Sequence, residues 1–139
     1  MRCLLLSSAL VVLLVASACQ TGSKVGGIHI PTWDPGNAGI FDDATLGPAT
    51  LDMSTGCVLL VLENQKSVLP VWPLPTSWNP SSQAIEFVGV WGERTELREG
   101  DTIMPGGVTP IVEPEFVSPP GASCEAEKLF LLHSLRKVM

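Results

Sequence analysis

The sequence predicts an all-β fold: a small, partly open antiparallel β-barrel carrying one disulfide. Two observations point there. Short apolar runs follow one another between clusters of Gly, Pro, Asn and Asp, which punctuate strands rather than helices. Ala84–Trp91 also alternates, with Ile85, Phe87, Gly89 and Trp91 on one face and Glu86 on the other, the period of a half-buried strand. The unit occupies residues 44–139. A domain of that size buries a single modest core and gains from a crosslink.

Thr45–Met53 is the first strand, interrupted at Gly47-Pro48. Cys57–Leu62 is continuously apolar, as expected of a strand covered on both faces. Glu63-Asn64-Gln65 makes a hairpin turn, and Ser67–Trp72 returns. Pro70 and Pro73 cannot donate to a ladder, so they mark the returning strand as an edge or as its end. A proline-rich loop leads into Ala84–Trp91. Gly92-Glu93 then suits a two-residue turn with glycine first, and Arg94–Arg98 continues with Thr95 and Leu97 inward. Gly100-Asp101 turns into Thr102-Ile103-Met104, which Pro105-Gly106-Gly107 is expected to stop.

The last segment, 125–138, has two readings. Acids first and Arg136-Lys137 last suit a helix and its dipole. Read with period two, Leu129, Leu131, His133 and Leu135 form one face, and Phe130 and Leu132 the other. The strand is preferred, because a small barrel needs a partner for the edge left by its first strands.

Residues 1–18 read as a signal peptide: Arg2, an apolar run from Leu4 to Ala16, then small residues at a cleavage point. The run falls short of the ~20 residues that span a bilayer. Ala16-Ser17-Ala18-Cys19 resembles the lipobox of bacterial lipoproteins, in which that cysteine is lipidated and becomes the mature N-terminus. Ala16-x-Ala18 also suits ordinary signal peptidase, so a soluble secreted protein is the alternative. Cysteine arithmetic favours the lipid. Cys3 leaves with the signal, and Cys19, Cys57 and Cys124 make an odd count for an oxidising compartment. Lipid on Cys19 leaves Cys57 and Cys124 as a pair. Both fall beside strand ends, and a zinc site would lack a CxxC partner or a nearby histidine. Closing so long a loop contributes ~4 kcal/mol in the chain-entropy estimate.

Residues 19–43, rich in glycine and proline, read as a lipid-attached flexible tether, with Trp33 and Ile40-Phe41 as the residues suited to dock on the domain. Loss of Arg2 leaves seven Lys and Arg against fourteen Asp and Glu, a net charge of −7. An acidic domain without a basic run is unsuited to nucleic acid or to the phosphates of anionic lipid. The expected partners are the membrane, through the N-terminal lipid, and an envelope protein or glycan.

The catalytic inventory is thin. His29 lies in the tether and His133 in the apolar C-terminal segment, and no serine or cysteine sits in an activated-nucleophile motif. Glu93, Glu96, Glu99 and Asp101 cluster in one hairpin and allow a glycosidase pair to be imagined. The interspersed Arg94 and Arg98 favour ion pairs on a solvated face instead. Asp34, Asn37, Asp42 and Asp43 do not fit a calcium loop, and Asp34-Pro35-Gly36 is ordinary turn chemistry. No catalytic residue, metal ligand or cofactor is assigned. The candidate ligand-binding residues are Trp72 and Trp78, in the extended stretch Trp72–Pro80, with flat faces suited to a sugar ring or peptide. Against this, both rings also suit closing the open end of the barrel.

Gly56-Cys57, Leu69-Pro70-Val71-Trp72-Pro73, Gly100-Asp101, Gly106-Gly107 and Cys124 together resemble a pattern in small exported bacterial proteins of unassigned function. The resemblance implies a small β-barrel, OB-like, with the two cysteines joined, and no activity. The expected function is that of a non-catalytic lipoprotein of the bacterial cell membrane or outer membrane, with a binding or structural role. One alternative is a secreted glycan- or protein-binding module using the Trp72–Trp78 loop. The other is a small hydrolase or a hydrolase inhibitor.

Overall fold

Ten strands and one three-residue 3-10 turn, Pro35–Asn37, make up the regular structure of the described residues in the computed structural model. Those residues are 27–37, 44–121, 124, 126 and 128–139. The signal segment, Cys19 and Ile40-Phe41 lie outside them. The strands are β1 (Thr32–Trp33), β2 (Ala44–Thr45), β3 (Ala49–Asp52), β4 (Leu59–Leu62) and β5 (Ser67–Pro73). They continue with β6 (Ser77–Asn79), β7 (Ala84–Val88), β8 (Arg94–Leu97), β9 (Thr102–Val108) and β10 (Lys128–Val138). The fold is all-β, as the turn-punctuated runs predict, and the C-terminal segment is a strand of eleven residues.

Strand pairing passes from β5 to β10, β9, β3 and β4, and returns from β4 to β5. This ring stops short of a closed barrel. Its β3–β9 and β4–β5 seams are each held by two residue pairs, whereas β9 and β10 pair along most of their length. A second sheet, β6-β7-β8, folds against it. The expectation of antiparallel pairing throughout needs correction. β10 and β1 both lie parallel to β5, with Val68 beside Lys128 and Trp72 beside Thr32, so the large sheet is mixed.

Prolines inside strands fall where a donor is not required. Residues two apart on a strand aim their N–H groups the same way. The Trp72 N–H donates to Pro31 O at 2.8 Å, which places the nitrogen of Pro70 on that same side. There β4 pairs only with Ser67 and Val68, and β1 only with Trp72 and Pro73, so Pro70 faces the gap between them. The edge reading of Pro70 therefore holds on one side of β5 and fails on the other, where β10 is paired. Pro105 does not stop β9. It lies between the pairs that β3 makes at Thr102 and Ile103 and those that β2 makes at Gly106 and Gly107. Gly107 is needed for a different reason: a Cβ there would run into the backbone carbonyl of Leu131 on β10.

The β4–β5 hairpin turns through Glu63-Asn64-Gln65, with Gln65 in the left-handed region at φ 67°. The Asn64 side chain accepts the Lys66 N–H at 3.0 Å, local chemistry that favours a turn. The core gathers Leu51, Val58, Leu60, Trp72, Ile85, Phe87, Leu97, Ile103, Phe130 and Leu132, all essentially without solvent contact. Ile85, Phe87 and Leu97 come from the small sheet, so one core joins both sheets. Trp91 does not share their face. The chain turns at Gly89–Gly92, with Gly89 N–H bonded to Glu93 O, and Trp91 is left 66% exposed at the tip.

Candidate functional site

The stretch Ile28–Trp33, expected within a flexible tether, is built into the fold. The His29 N–H donates to Gly56 O at 3.0 Å, beside Cys57, and the His29 ring nitrogen Nε2 lies 2.5 Å from Pro119 O. Thr32 N–H bonds to Ser118 O, and Val117 N–H returns to Thr32 O. The segment thus lies between β5 and the 117–121 loop, and the packed unit begins before residue 44. Cys57 and Cys124 form a disulfide, with Cα atoms 5.5 Å apart and a separation of 67 positions in sequence. It fastens the long loop after β9 to the start of β4, next to His29.

Trp72 and Trp78 have different environments. Trp72 is fully buried, its ring meeting Phe87 edge-on at 6.1 Å, and it offers no face to a ligand. Trp78, on the edge strand β6, is half-buried against the core. The structure therefore does not bring them together as a platform. The aromatic that sequence reasoning missed is Trp91. Its signal was the pair of glycines that bracket it, Gly89 and Gly92, since β7 ends at Val88 and the turn between them carries Trp91 out of the alternation.

Three of the hairpin carboxylates are engaged separately, while both carboxylate oxygens of Glu93 are buried without a hydrogen-bond partner among the described residues. Glu96 pairs with Arg98, both about half exposed. Glu99 accepts the Met53 N–H at 2.5 Å. Asp101 accepts the Arg98 N–H at 2.7 Å and pairs with Lys137 at 3.0 Å. Glu93 folds over Gly89, where a Cβ would overlap its carboxylate. The exposed Glu96–Arg98 pair fits the solvated-face reading, whereas the carboxylate of Glu93 is withdrawn from solvent. A depression of about 340 Å3 lies against β7 and β8. Glu86 and Glu96 stand opposite one another there, with Asn79 Nδ2 donating to Glu86 at 2.9 Å.

His133 is buried at a bulge in β10. Leu132 pairs with Gly107 and Ser134 with Gly106, leaving His133 as the extra residue. Asp34 Oδ1 accepts the Gly36 N–H at 2.8 Å, an ordinary Asx turn. Asp42 and Asp43 lie outside the described residues. Among those described, no group of three His, Cys, Asp or Glu is placed to hold a metal ion.

Compared with protein-family models, curated proteins and solved structures, the chain matches none of them.

Proposed function

We propose that this is an exported, non-catalytic lipoprotein domain, held on the bacterial envelope by lipid on Cys19 and acting by binding or as a structural component. The observation that carries this reading is the Cys57–Cys124 disulfide. Such crosslinks persist in oxidising compartments, which agrees with the export signal of residues 1–18. The pairing also uses both cysteines beyond Cys19, leaving that thiol for lipid. A buried acyl chain contributes ~0.8 kcal/mol per CH2, so a lipidated N-terminus with several chains anchors firmly.

The test is fractionation of cells expressing the protein and its Cys19→Ser variant. Membrane retention of the first and release of the second is the expected result. Equal release of both would remove the lipoprotein reading and leave simple secretion. A second reading, a secreted glycan- or protein-binding module, draws support from Trp91 rather than Trp72, since an exposed indole is a common anchor at interfaces.

A further inference from the structure

A cavity of about 190 Å3 opens beside the weakly held β4–β5 seam. Its apolar lining is Leu46, Leu62 and Val68. Val68 belongs to the core, and Leu46 and Leu62 pack on it half-buried, so the core reaches solvent here. Lys66, from the β4–β5 turn, and Lys128, the first residue of β10, line the same cavity together with Thr109. Strand register explains the meeting: Lys128 stands beside Val68 on the neighbouring strand, and Lys66 lies just before β5, two residues ahead of Val68.

Two features make this more than a surface dimple. The chain holds eight cations against fourteen carboxylates, yet two lysines distant in sequence line one small cavity. Neither ammonium forms an ion pair among the described residues. Like charges at one site repel, and an anion between them relieves that cost. The other feature is the junction of an apolar floor with a polar rim, to which Asn64 and Ser67 also contribute.

We propose that this cavity binds a short-chain carboxylate. The aliphatic body rests on Leu46, Leu62 and Val68, while the carboxylate lies between Lys66 and Lys128, within reach of the Thr109 hydroxyl. The volume bounds the ligand. At ~30 Å3 per water the space equals roughly six waters, below the ~300–1,000 Å3 of drug-sized pockets. The site is independent of the lipid anchor, because its residues all lie in the folded unit.

The experiment titrates the folded domain with butanoate, butan-1-ol and inorganic phosphate while following backbone amide shifts. Saturable shifts with butanoate, centred on Leu46, Leu62, Val68 and Thr109, are expected, with no saturation by the alcohol or by phosphate. Lys66 and Lys128 are both exposed, so a Lys66→Gln, Lys128→Gln variant should keep its melting temperature. Its affinity should fall by about tenfold or more, as expected for charge-assisted bonds. Shifts that never saturate, or an unchanged affinity in the double variant, would overturn the proposal. Phosphate binding as tightly as butanoate would also overturn it, since the apolar floor would then contribute nothing. The comparison of the three ligands on the unaltered protein decides the matter even if the variant misfolds.

Discussion

The imidazole of His133 packs against the indole of Trp33, ring centroids 5.4 Å apart and planes tilted by 45°. One residue is the extra member of a bulge near the C-terminus; the other belongs to a two-residue strand near the start of the described chain. A bulge re-aims a side chain without ending its strand. Here it turns His133 to the buried side while Phe130, Leu132 and Leu135 all remain in the core. The indole N–H of Trp33 donates to Leu132 O at 3.3 Å, and the Val90 N–H donates to His133 O at 2.9 Å. The bulge is therefore where the N-terminal segment, β10 and the small sheet meet.

Trp33→Ala should destabilise the domain by ~3–5 kcal/mol, the usual cost of removing a buried aromatic ring. Chemical denaturation checks this. A free tether would give no change at all, so an unaltered midpoint would detach residues 28–33 from the folded unit.

The disulfide should show itself as an absence of free thiol at Cys57 and Cys124 in the folded, unreduced protein. Reduction should lower the melting temperature by many degrees, since a native crosslink in a small domain contributes ~2–5 kcal/mol. Thiol titration before and after reduction, paired with thermal melts, measures both. The loss should exceed that of an isolated loop, because His29 and the 117–121 loop pack beside the same bond.

Three tryptophans should rank by burial. Trp72→Ala is expected to cost ~3–5 kcal/mol, Trp78→Ala less, and Trp91→Ala to stay within ~0.5 kcal/mol of the parent. Denaturation curves for the three single variants decide the order. A Trp72→Ala protein as stable as the parent would contradict its place in the core.

How legible was this in the sequence? Local signals served well. Turn residues and alternation located β3, β4, β7 and β8, and the edge argument chose strand over helix for β10. Non-local information was missing. Nothing in Pro105-Gly106-Gly107 says that β10 will carry β9 past the proline, and nothing in Ile28–Trp33 announces a parallel partner in β5. Period two also fails where the backbone departs from it, at the His133 bulge and at the Gly89–Gly92 turn that exposes Trp91. The pairing of Lys66 with Lys128 at one cavity follows from register alone. Cys57–Cys124 was accessible because it needs only counting and compartment.

The acid limb of stability should depend on Asp101. Burial alone would raise its pKa, but the Arg98 N–H and the Lys137 ammonium outweigh that and hold the carboxyl below the usual aspartate value. A depressed folded pKa means the contribution is complete above about pH 4 and is lost as pH falls through the folded value. Asp52, lowered by the hydroxyl and N–H of Ser54, acts in the same direction. Asp101→Asn should therefore be less stable than the parent at neutral pH and lose less on acidification. Midpoints measured between neutral and strongly acidic pH would show parallel curves if Asp101 played no part.

The parallel seat of β10 on β5 also sets when this protein is able to fold. Val68 finds its partner at Lys128, sixty residues further on, and one edge of β9 is covered by that same last strand. Long-range pairings must meet their closure entropy before any contact rewards it. Until β10 has emerged, β5 and β9 each keep an unpaired edge.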